Sequence, residues 1–285
     1  MKRQRDGTAG TAGRTEAIDA LLQPALAALR NGRPAEAERI ARDVLSRAPQ
    51  QAGALHLLGL ALLAQRRPGE AVAPLQEAAR RGSAPVIETH LAIALRQTGR
   101  ASEALKWLER ATARQPVFPL AFHELGVLLF SLRRLDEAEV VLRRGIDAAP
   151  TVPDLSVLLG GIFLDRVDRA NAKIAFAHAL ANAPGHPNAL CGLGTALMDD
   201  GEFAPAAERF RQALARDPAY TQARLNLGYC LLELGQQDEA IASLRAAVTA
   251  APQCLGKALR TLVTAGRGRF WLRPSAAAEF LRPSP

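Results

Sequence analysis

Aromatic side chains are scarce here: nine Phe, two Trp and two Tyr make up 5% of 285 residues. A core without rings must be filled by small and aliphatic side chains, and Ala and Leu supply most of it. Such residues suit helices packed at short distance. Cysteine is nearly absent too. Cys191, Cys230 and Cys254 are odd in number and share no metal-ligand spacing. They therefore read as reduced core or groove thiols, with no disulfide framework. No run of 18 apolar residues exists, so no membrane-spanning helix is expected. Lys2, Arg3 and Arg5 precede no apolar stretch, so no secretory leader is expected and the chain reads as cytoplasmic. Also missing are a Gly-rich phosphate loop, HExxH, CxxC and G-x-S-x-G. With no visible nucleophile, base and orienting group, the expectation is no enzyme, no catalytic residue, no cofactor and no metal site.

What the chain does have is a period. Residues 187–220 carry Leu190, Leu193-Gly194, Leu197, Ala206, Phe210, Ala213 and Pro218, and that spacing recurs. Pro116, Pro150, Pro184, Pro218 and Pro252 are each 34 residues apart, and Pro49 plays the same part earlier. Proline cannot donate the next helical hydrogen bond, so each marks the end of a helix. Gly32, Gly99, Gly201 and Gly235 mark a turn that needs positive φ. Glu36, Glu70, Glu103, Glu137 and Glu239 read as the start of the following helix, where a carboxylate meets the positive helix end. Gly59, Gly126, Gly160, Gly194 and Gly228 share one position, as do Ala37, Ala71, Ala104, Ala138, Ala172, Ala206 and Ala240. Small side chains there let helices pack closely. Leu75, Leu108, Leu142, Phe176, Phe210 and Leu244 fill the space between units.

These motifs resemble the tetratricopeptide repeat (TPR), a 34-residue helix–turn–helix unit with the pattern W-x2-L-G-x2-Y, A-x3-F, P. The resemblance implies an all-α fold: a right-handed TPR superhelical solenoid of about seven repeats with a C-terminal capping helix. The units fall at 18–51, 52–84, 85–118, 119–152, 153–186, 187–220 and 221–254. The first unit matches least well, with Pro24 where Leu is expected. The fifth has Asn171 in place of Glu and no turn glycine. Residues 1–17 read as a disordered basic tail, because they cannot bury enough apolar surface. Residues 255–285 hold the capping helix and a tail, with a last short helix expected from Ser275, anchored by Phe280 and Leu281.

The resemblance also implies where binding occurs: the first helix of each unit lines a concave groove, at positions 2, 5, 6, 9, 12 and 13. Those positions give two ladders. His56, His90 and His123 occupy positions 5, 6 and 5 of units two to four, among Leu57, Leu60, Leu63, Ile93, Val127 and Phe130. Neighbouring first helices are expected about 10 Å apart, so adjacent rings are not expected to share a metal. The histidines are either ordinary half-buried residues or a peptide site tuned near pH 6–7. Asp165, Asp199 and Glu233 occupy position 13 of units five to seven, with Asn226 and Tyr229 nearby. A carboxylate opposes the helix dipole at that end. The row is either a solvated edge or a receiver for Lys or Arg of a ligand. A dicarboxylate clamp and an asparagine ladder, as other TPR proteins carry, both lack their residues here.

The chain carries a formal net charge of +8, which permits anionic partners. The C-terminal Gly266–Arg269 stretch with Phe270 and Trp271 is short and unrepeated, so nucleic acid is not the expected partner. The expected function is a non-enzymatic scaffold or adaptor holding a peptide or protein segment in its groove. One alternative is an accessory subunit of a separately encoded glycosyl- or sulfotransferase, since the 31 residues after the last repeat are too few for such a domain. The other is an anionic-surface or nucleic-acid binder.

Overall fold

A computed structural model describes residues 21–264 and Leu281. Consecutive helices run throughout, and no strand occurs among the described residues. Contacts divide the chain into two compact units, 1–134 and 135–285. The first holds α1 (21–30 as described), α2 (Pro34–Arg47), α3 (Ala52–Ala64), α4 (Pro68–Arg81), α5 (Pro85–Gln97), α6 (Ala101–Thr112) and α7 (Pro119–Ser131). The second holds α8 (Leu135–Ala148), α9 (Pro153–Asp165), α10 (Arg169–Asn182), α11 (Pro187–Asp199), α12 (Phe203–Arg216), α13 (Thr221–Glu233), α14 (Gln237–Ala250) and α15 (Leu255–Thr264). The division falls between α7 and α8, inside the fourth unit read from the sequence.

The odd-numbered helices α1 to α13 all end the same way. One residue takes a left-handed conformation, and the next donates its N–H back five residues, the Schellman closure. Arg33 donates to the Ala28 carbonyl at 2.8 Å, Glu202 to Leu197 at 2.9 Å and Gln236 to Leu231 at 2.8 Å. Glycine fills the left-handed position at Gly32, Gly99, Gly201 and Gly235, with φ from 68° to 78°. Arg66, Arg133 and Val167 fill it elsewhere, with φ of 59°, 60° and 63°. The turn geometry therefore persists where the glycine does not, including the fifth unit.

The even-numbered helices start before the glutamates that the sequence marked. Glu36, Glu70 and Glu103 lie inside the first turn and pair with the residue before the helix. Those partners are Arg33, Arg67 and Arg100, at 2.9, 2.6 and 2.7 Å. Each pair is exposed and contributes little alone. Helix α2 stops two residues before Pro49, and α8, α10, α12 and α14 stop two before Pro150, Pro184, Pro218 and Pro252. Helix α6 stops earlier, at Thr112, and the Gln115–Pro116 bond is cis. Residues 21–30 are helical through Pro24.

Packing follows the small-residue positions. Ala37, Ala71, Ala104, Ala138, Ala172, Ala206 and Ala240 are all fully buried. Opposite Gly59, Gly160, Gly194 and Gly228 lies the large residue of the paired helix. A Cβ on Gly59 would fall 2.3 Å from Leu75, one on Gly194 2.8 Å from Phe210 and one on Gly228 2.7 Å from Leu244. Phe176 meets two glycines, Gly160 of its own pair and Gly192 of the next. One ring thus fills space within a pair and between pairs. Leu57, expected in the groove, is buried in the first unit's core instead. Glu88 is fully buried and held by Arg110 and Arg114, at 3.0 and 2.9 Å.

After α14 the chain makes a single 3-10 turn, Pro252–Cys254, before α15. Ala258 and Leu262 of α15 join the core that contains α13 and α14, and Leu281 is buried in that same core. Ser275, Phe280, the Gly266–Arg269 stretch, Phe270, Trp271 and the tail at 1–17 lie outside the described residues. Among the described residues no helix is long and apolar enough to cross a membrane.

Candidate functional site

In the second unit α11, α13 and α15 border a cleft of about 470 Å³. Met198, Phe203, Leu225 and Tyr229 give it apolar surface, while Asp199, Asn226 and Thr261 give it polar atoms. The Tyr229 ring meets Phe203 edge to face, with centroids 6.0 Å apart and planes at 73°. Burial pushes the Tyr229 hydroxyl up from its usual range, and Glu233, hydrogen-bonded to it, pushes the same way. The phenol stays neutral and keeps its donor.

Asn226 is held at both ends. Its Oδ1 accepts from Gln222 Nε2 at 2.8 Å, and its Nδ2 donates to Thr195 Oγ1 at 3.3 Å. The Thr195 hydroxyl in turn donates to the Cys191 carbonyl at 3.0 Å. A side-chain amide has two N–H donors and two carbonyl lone pairs, so Asn226 keeps capacity for a ligand while its rotamer is fixed. Asp199 is the last residue of α11. Partial burial raises its pKa above the usual aspartate value; Arg169 opposes that shift and Asp200 adds to it. Asp200 itself accepts from Lys173 Nζ at 2.6 Å.

The C-terminal candidates thus converge only in part. Asp199, Asn226 and Tyr229 share the cleft, and Glu233 joins through Tyr229. Asp165 ends α9 as an exposed residue outside the cleft lining. Met198, Phe203, Leu225 and Thr261 were missed by the sequence reading. Met198 and Leu225 stand at groove positions 12 and 5 of units six and seven and could have been found there, whereas Phe203 opens the second helix of its unit, where no groove position was marked. Thr261 could not be found either, because it reaches the cleft only through the docking of α15.

The histidine ladder brings two of its three rings together. His56 Nε2 and His90 Nδ1 lie 2.9 Å apart, with ring centroids at 5.1 Å. Helix axes at the expected spacing still let two inward-facing rings meet between them, so the rings do touch. Burial lowers both pKa values to about 4, assisted at His56 by the charge of His90 and opposed at His90 by Glu124. Desolvation thus moves titration of this pair below the pH 6–7 range expected for it. His90 also meets Phe118 edge to face at 6.2 Å. His123 stands apart on α7, with Nδ1 3.7 Å from Glu124 Oε1, and Phe130 is half-buried on the same helix. Among the described residues no three His, Cys, Asp or Glu converge as a metal-ligand set. A further pair, Ser156 Oγ and His178 Nδ1 at 2.8 Å, ties α9 to α10, with Ser156 fully buried. The three cysteines are free and buried. Burial raises every thiol, Cys230 to about 12.

Helical hairpins closed by one turn type, with a glycine opposite a large side chain in four of them, define a helical-repeat interaction protein. The tetratricopeptide repeat family model matches residues 22–85, 90–153 and 191–253, and the chain belongs to that family. No curated protein matches the sequence. Among solved structures, a chain of the APC/C hetero-tetramer Cut9–Hcn1 is similar at a TM-score of 0.69 and 18% identity. That likeness covers 85% of this chain and 48% of that one, so this chain spans about half its length. A TPR protein from Parabacteroides merdae matches with a TM-score of 0.63 and 14% identity, over 86% of this chain and 98% of that one. YrrB, described as a TPR protein with an unusual peptide-binding site, has a TM-score of 0.52 and 18% identity, over 66% and 97%. At these identities the likeness shows the fold. Repeats of this kind make the chain a protein-interaction scaffold in general terms.

Proposed function

We propose that the chain is a non-enzymatic scaffold that holds an extended protein segment along the first helices of its second unit. The observation that carries this is the cleft, where the Asp199 carboxylate and the hydrogen-bonded Asn226 amide stand beside apolar Phe203, Leu225 and Tyr229. Such a mixture, in a volume near 470 Å³, is what ligand-binding clefts offer. A largely pre-formed surface also spares part of the ordering cost of binding. YrrB, of the same fold, is a peptide binder by its own description. Three free, buried thiols suit a reducing setting such as the cytoplasm.

The test is a peptide array probed with the full chain, alongside Tyr229→Ala and Asn226→Ala. Peptides retained by wild type should lose about tenfold or more in affinity on Tyr229→Ala, as buried aromatic anchors do. Peptides that bind all three proteins equally would move the site away from the cleft.

A second reading, an anionic partner on the first unit, has one observation in its favour. Residues 1–134 carry twenty basic and twelve acidic side chains, against sixteen and sixteen in 135–285. Binding of that kind should weaken steeply with salt, whereas apolar cleft binding should not.

A further inference from the structure

We propose that the cleft between α11, α13 and α15 is a socket for one cationic side chain, a lysine ammonium or an arginine guanidinium carried by the bound segment. This rests on the segment-binding reading above and names the chemistry it selects.

Charge comes first. Of the residues lining the cleft, Asp199 alone is formally charged. Among the described residues two cations beside Asp199 are paired with its neighbour Asp200, though Arg169 also acts on Asp199. Lys173 Nζ sits on Asp200 at 2.6 Å and on Glu202 at 3.2 Å, and Arg169 Nε faces Asp200 at 3.6 Å. Glu233 adds a further carboxylate behind Tyr229. Over residues 135–285 basic and acidic side chains balance at sixteen each, so the sign of the cleft is set locally by Asp199. A positive group is the complement of that local charge.

Helix position adds a second reason. Asp199 closes α11, where the partial negative charge of the helix end disfavours a carboxylate. That end favours a cation. A ligand cation at Asp199 would meet the carboxylate and the helix terminus together, and would remove the repulsion between Asp199 and Asp200.

The walls fit the rest of such a side chain. Lysine and arginine bury an aliphatic stem and keep the charged head on polar atoms. Met198, Leu225 and Phe203 offer the apolar surface, and the Tyr229 ring offers a face to which a cation is attracted. The remaining lone pair of Asn226 Oδ1 supplies a second acceptor beside the carboxylate. The cleft exceeds one side chain in volume, which leaves room for backbone of the flanking residues.

The experiment takes a peptide retained by the full-length wild type on the array and scans each Lys and Arg of it to Gln. Affinities are measured by fluorescence anisotropy on wild type and Asp199→Asn, with melting curves to verify folding. One cationic position should lose about tenfold on wild type when neutralised, the scale of a charge-assisted hydrogen bond discounted for partial exposure. The same change should cost less than about twofold on Asp199→Asn, because the cycle isolates the pair. Free lysine amide and arginine amide, titrated as separate probes, report whether the socket accepts the cation without a chain. Competition by them alone, with no peptide position coupled to Asp199, would overturn the peptide-borne cation. Peptides that depend on Tyr229 but show no cation coupled to Asp199 would overturn the socket and leave the segment-binding reading standing. No retained peptide at all would sink both.

Discussion

His56 Nε2 and His90 Nδ1 meet at 2.9 Å across neighbouring helices α3 and α5, one ring donating and the other accepting. The bond exists only while at least one ring is neutral, since two imidazolium ions present only donors. Burial keeps both rings neutral down to about pH 4, against an ordinary value of 6.5. The unfolded chain therefore binds protons that the folded chain refuses between those values. The stabilising contribution is complete above pH 6.5 and falls away as pH drops from 6.5 toward 4. Denaturation of wild type at pH 7 and pH 4.5 should show a loss on the order of 2 kcal/mol per ring. The double variant His56→Leu, His90→Leu should lose that part of the slope, and equal slopes in both proteins would refute the assignment.

Val167 holds a left-handed conformation, φ 63°, that β-branched residues avoid, and its side chain is 64% exposed. At that exposure little burial offsets the strain. Val167→Gly should raise stability by about 1 kcal/mol, the left-handed penalty less the added freedom of the unfolded chain. The converse change, Gly201→Val, should lower it by a similar amount. Chemical denaturation midpoints check both, and a destabilised Val167→Gly would contradict the turn geometry.

Gly160 and Gly161 are neighbours with opposite surroundings. A Cβ on Gly160 would fall 2.7 Å from the buried Phe176 ring, while one on Gly161 meets nothing within 4 Å. Gly160→Ala should destabilise by about 1–3 kcal/mol through overpacking. Gly161→Ala should be neutral or stabilising by up to about 1 kcal/mol, as helix propensity favours Ala. Thermal melts of the two variants side by side give the comparison, and equal shifts would show that ring packing at Gly160 is not what sets the cost.

Glu88 and its arginines should respond asymmetrically. The carboxylate is fully buried, while Arg110 and Arg114 keep side-chain exposures of 50% and 32%. Removing both arginines, as Arg110→Ala with Arg114→Ala, strands a buried charge and should cost about 3 kcal/mol at pH 7. Glu88→Met leaves two cations that can turn to water, and should cost within about 1 kcal/mol. A larger loss from Glu88→Met than from the arginine pair would reverse the argument.

The candidate site was legible in pieces. Asp199, Asn226 and Tyr229 could be marked because the repeat places each on the same side of a first helix. Asp165 carried the same mark, yet it lies outside the cleft lining. The period assigns a position to a residue but not the neighbour that encloses it. For the cleft, that neighbour is α15, which lies beyond the repeats and follows no period. The same limit explains the histidines. Their spacing was visible, but their contact and depressed pKa depend on how two rings are buried between helices.

The sequence by itself determined the secondary structure and its punctuation. Proline, glycine and the small–large alternation act through local sterics and through the volume available between paired helices, and these repeat wherever the letters repeat. Tertiary structure alone decided which polar groups became neighbours, because ion pairs, desolvation and cleft walls arise between residues roughly thirty positions apart. It decided that Arg66, Arg133 and Val167 would adopt the glycine conformation, because the helices on either side fix the turn more strongly than a side chain can resist.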